Sequence, residues 1–94
     1  MQFHTIDCAR AMRDGGIDAM AALDDALADA LSLVPEAEHR ELKQAVGRAM
    51  SAIMSEMIHP AVRAFPDLEP TEEIWRSAVK ERLGARATKF LSDD

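Results

Sequence analysis

PEAEHRELKQAVGRAMSAIMSEMIHPAVRAF, residues 35–65, decides the fold. Pro35 pre-sets φ for a first helical turn, and Glu36, Glu38 and Glu41 then fall where the helix macrodipole favours negative charge. The second helix of the chain is therefore expected to begin at Pro35. Its apolar residues come in pairs four apart: Ala45/Val46, Ala49/Met50, Ile53/Met54, Met57/Ile58 and Ala61/Val62, ending at Phe65. At about 100° per residue these positions cover half the circumference, more than a helix with one neighbour needs. Pro60 has no backbone donor, and its ring clashes with the carbonyl four residues earlier. The spacing thus predicts a kink near Ser55 to His59, or an end at His59 followed by a new turn.

Upstream, Met20, Leu23, Leu27, Ala30 and Val34 repeat with three-four spacing, the seam of a surface helix with one buried stripe. Gly15 and Gly16 favour a break or kink at its start, with Asp14 as the N-cap of the restarted helix and a short segment containing Ile6, Ala9 and Met12 before it; the alternative is one long helix that crosses both glycines at about 1 kcal/mol each. Downstream, FPDLEP (65–70) is the clearest loop. Thr71 then caps a third helix with Glu72 and Glu73 in its first turn and Pro70 placed to staple against Trp75. Trp75, Ala78, Val79, Leu83, Ala87, Phe90 and Leu91 give that helix one apolar face. No strand is needed. The expected fold is a single all-α domain over 1–94, a three-helix bundle of two long antiparallel helices plus a shorter third.

The chain has 94 residues, enough for one core. Of its hydrophobic residues, 48% of the total, 17 are alanine, so the core is thin. A second helix of about 30 residues would be about 45 Å long, whereas a compact chain of this length has a radius of gyration of about 12 Å. The molecule should be elongated and leave apolar surface open, which marks an interaction surface. The expectation is a homodimer completing a four- or six-helix bundle; the competing arrangement folds the chain back at Pro60 so that three helices satisfy one another. Met50, Met54 and Met57 line one side of helix two with Met20 placed to face them, and together with Trp75 they are the candidate interface residues.

Charge is unevenly spread. The net charge is −6. Residues 14–35 carry Asp14, Asp18, Asp24, Asp25 and Asp29 and no base, whereas 76–89 carry Arg76, Lys80, Arg82, Arg86 and Lys89 against Glu81 alone. The two segments complement each other within or between chains, and the acidic first helix could hold a basic protein partner. The negative balance and the shortage of aromatic residues argue against a nucleic-acid partner. No apolar run is long enough for a bilayer and the start, MQFHTIDCAR, lacks an export signal, so the expected setting is cytoplasmic without a membrane partner. One cysteine, Cys8, cannot make an intrachain disulfide; His4, Asp7 and Cys8 form a cluster of metal-capable side chains near the N-terminus, but a lone cysteine is most often a small buried hydrophobe, and nothing in the sequence brings His39 or His59 to it for nucleophilic catalysis.

The pattern E-x-x-H occurs twice, at Glu36/His39 and Glu56/His59. In ferritin-like metal bundles that spacing sets a carboxylate and an imidazole on one helix face, with further glutamates from neighbouring helices. Here the two motifs are about 30 Å apart along one helix, project in nearly opposite directions, and face a first helix without glutamate. Solvated or helix-capping roles are therefore expected for these Glu and His residues, with a metal-binding bundle using Glu36, His39, Glu56 and His59 as the alternative. The favoured reading is a non-catalytic, cofactor-free helical interaction protein, an adaptor, inhibitor or structural module that self-associates.

Overall fold

A computed structural model describes residues 3–81, and within them the protein is all-α, a bundle of three helical rods without strands. The first rod is α1, Ile6–Leu33. The second starts with a 3-10 turn, Glu36–Glu38, continues as α2, His39–Ile53, widens into a π turn, Met54–Ile58, and ends as α3, His59–Ala64. A 3-10 turn, Pro66–Leu68, leads to a third rod, α4, helical over 72–81 within the described residues. Leu83, Ala87, Phe90 and Leu91 of its expected apolar face lie outside them.

The glycine pair does not break α1. The helix is capped at Thr5, whose Oγ1 accepts from the Cys8 amide at 3.1 Å, and runs on through Gly15 and Gly16. Asp14, expected as an N-cap, instead sits mid-helix and accepts from Arg13 Nη2 at 2.6 Å. The physical reason lies across the bundle. Gly16 is buried, and a Cβ placed on it would come within 2.9 Å of Ile58 Cγ1 and 3.3 Å of Met57 Cβ. The missing side chain lets the second rod approach α1 closely, and this packing outweighs a helix-propensity cost of about 1 kcal/mol per glycine.

The turn between the rods also differs from expectation. Pro35 has the φ of a helical residue, −63°, but ψ is 152°, so it precedes the helical turns and α2 begins only at His39. At the other proline the distortion falls where it was expected and takes the form of a π turn. His59 N–H donates to Met54 O, five residues back. One extra residue in the turn spreads the carbonyls that the Pro60 ring would otherwise strike and lets the rod continue into α3. Thr71 caps α4 as expected, its Oγ1 accepting from Ile74 N at 3.2 Å. Pro70 and Trp75 are both half-buried.

The buried residues among those described lie toward one end of the hairpin. Phe3, Ala9, Ala61 and Leu68 form one buried cluster, with Met12 and Phe65 against it. Ile17, Ala21, Ile58 and Ala78 form the second, with Met20, Ile53, Met54, Val62, Ile74 and Trp75 around them. Arg13 ties the loop to this end, donating from Nη1 to Leu68 O at 3.2 Å while its head group is held by Asp14. The radius of gyration is 15.4 Å and the longest extent 44 Å, the elongated shape that the helix length implied.

Candidate interaction surface

From Ala22 to Met57 no residue is buried. This stretch is the distal half of α1, the connecting turn, α2 and most of the π turn, and among the described residues two helices lie side by side there without a third over them. The seam between them is apolar as the spacing requires: Leu23, Leu27, Ala30, Leu31 and Val34 on α1, and Leu42, Val46, Met50 and Ile53 on α2. Each is only half-covered. Beside the seam Leu33 is 82% exposed, and on α2 the alanines Ala45, Ala49 and Ala52 are exposed to solvent. Those alanines share an arc of about 60° next to Leu42. A helix in a complete bundle buries part of its stripe; α2 buries none of its residues.

The four candidate interface residues divide between the two ends. Met54 and Trp75 are half-buried against the Ile17/Ala21/Ile58/Ala78 cluster, and Met57 lies against the glycine pair. Met20 packs on the same cluster. Met50 alone of the four belongs to the open stretch of α2. Trp75 keeps an outer edge: with Val79, which is 45% exposed, and Glu72, Arg76 and Lys80 it lines a shallow hollow of about 360 Å³ on α4. Arg76 donates to Glu72 at 2.6 Å there.

The polar candidates are dispersed. His39 is half-buried and its Nε2 lies 2.9 Å from Leu31 O and 3.3 Å from Val34 O. As a donor it satisfies the carbonyls that end α1, where the last turn carries no basic residue of its own. Glu36, Glu56 and His59 are exposed, with the second pair beyond the far end of α2. Among the described residues no group of three or more His, Cys, Asp or Glu side chains is gathered so as to hold a metal ion. Cys8 is exposed and not the small buried hydrophobe expected, because its position on the first turn of α1 faces away from Ala9; His4 and Asp7 are exposed with it, and Asp7 accepts from Arg10 at 3.3 Å.

Between α1 and α4 runs an open groove of about 390 Å³ lined by Asp14, Ile17, Asp18, Glu73, Ile74, Ser77, Ala78 and Glu81. Carboxylates stand on both walls of this groove. Arg82, Arg86 and Lys89 lie outside the described residues. No helix among the described residues is long and apolar enough to cross a membrane.

Two residues that matter structurally have no counterpart in the sequence analysis: Gly16 as a contact point and Arg13 as a tie to Leu68. His39 takes the capping role expected for it, just beyond a helix end that has no basic residue of its own. A scan against protein-family profiles, a search of curated proteins and a search of solved structures find no match to this chain.

Proposed function

We propose that this protein is a small, non-catalytic helical interaction protein that self-associates as a homodimer, using the open half of its first two rods. The observation that supports this reading is the run from Ala22 to Met57, which holds an apolar seam and no buried residue. Among the described residues no further layer covers this hairpin, and a second copy would supply one symmetrically. Native mass spectrometry of the untagged chain is the test. A two-chain species at micromolar concentration is the expected result, and a single-chain species throughout that range would end the proposal.

A second reading has its own observation, the acidic groove between α1 and α4. Its carboxylates suit the Lys or Arg side chains of a basic protein partner. An oligo-arginine peptide titrated calorimetrically should bind the wild type and lose most of its affinity to the Asp14→Lys/Asp18→Lys double variant. Equal binding by the two proteins would remove this reading.

A further inference from the structure

The open side of α2 carries a charge pattern that is complementary to itself. Glu41 and Arg48 are both exposed, and seven residues separate them, so they lie on one edge of the helix within about 20° of each other and about 10 Å apart along it. That distance is too long for an ion pair within the helix, and neither residue has an ion-pair partner among the described residues. Ala45 lies midway between them, with Ala49 and Ala52 continuing the same side, all exposed.

Resting on the self-association proposed above, we infer that α2 pairs antiparallel with α2 of a second copy about a two-fold axis passing between Gln44 and Ala45. An antiparallel pair with that centre sets Glu41 level with the partner subunit's Arg48, and symmetry repeats the contact with the roles exchanged. Opposite charges one heptad apart on the same edge are satisfied twice in this way. A parallel two-fold pair brings each residue against its own copy, Glu41 against glutamate and Arg48 against arginine, and gains nothing from the pattern. Ala45 between the charges, with Ala49 and Ala52 beyond Arg48, allows the helix axes to come close, and the exposed side of Leu42 is covered in the same contact. The other exposed helix offers no such match, because residues 14–35 carry charge of one sign only.

Charge reversal at the two positions tests the arrangement, with sedimentation-equilibrium dissociation constants as readout and circular dichroism to follow helix content. Glu41→Arg and Arg48→Glu, each placing like charges together at two symmetric contacts, should weaken the dimer about tenfold, and the double reversal should bring it back to within about threefold of wild type. If single reversals leave the constant unchanged, or the double variant stays as weak as the singles, the antiparallel pairing is wrong while self-association stands. A wild type that remains a monomer overturns both.

Discussion

Gly16 of α1 and Ile58 at the end of the π turn are in contact so close that a Cβ on the glycine would stand 2.9 Å from Ile58 Cγ1. Ile58 is 1% exposed and its Cγ1 is held by the β-branch, so it has no free space into which to retreat. Gly16→Ala gains helix propensity of about 1 kcal/mol and loses about 1–3 kcal/mol to overpacking, for a net loss of about 1 kcal/mol in urea unfolding. Gly15→Ala and Gly47→Ala should both raise stability by about 0.5–1 kcal/mol, since a Cβ at Gly15 meets only Met57 Cε at 3.8 Å and one at Gly47 meets nothing. Equal effects at all three positions would show that Gly16 is not a contact point.

The cap that His39 places on α1 predicts an asymmetry between the histidines. His39→Ala leaves Leu31 O and Val34 O without their donor and should cost about 1 kcal/mol. His59→Ala, at an exposed position, should change stability by less than about 0.5 kcal/mol. Thermal melts of the two variants side by side make the comparison.

Arg13 is only 12% exposed at its side chain and joins α1 to the carbonyl of Leu68 while Asp14 neutralises it. Arg13→Ala should lower stability by about 1–2 kcal/mol, through the lost charged hydrogen bonds and the packing of its stem. Arg13→Lys should recover little of this, because an ammonium lacks the fork that serves Asp14 and Leu68 together. Urea midpoints at constant m-value decide the matter; full recovery by lysine would reduce Arg13 to a point charge.

Self-association makes a thermodynamic prediction independent of any mass measurement. If the dimer alone has the completed layer, the melting temperature rises with protein concentration. Scans at concentrations two orders of magnitude apart should differ by several degrees, and coincident scans would contradict the proposal.

What the sequence disclosed is governed by the range of each interaction. Thr71 capping α4 and the distortion before Pro60 were legible because both are local, one a hydroxyl three residues from its amide and the other a ring against its own helix. The glycine pair was misread for the opposite reason. Its meaning depends on residues some forty positions away, and locally Gly15-Gly16 looks like a break. Pro35 shows the same limit at short range: its φ suits a helix, and ψ was decided by how the two rods turn. Of the four interface candidates, Met54 and Trp75 pack on a core cluster while Met50 lies on α2, because methionine spacing along one helix does not tell where the third rod will land.

With every fully buried side chain among the described residues lying before Ala22 or after Met57, the hairpin can open from its Val34 end without uncovering any of the core. Such opening costs less than global unfolding, so amide exchange should be fastest at that tip and slow toward Ile17 and Ile58. Whatever clamps α2 therefore does more than bind: it stiffens the loose end, and the tip becomes firm in the same event that joins the chains.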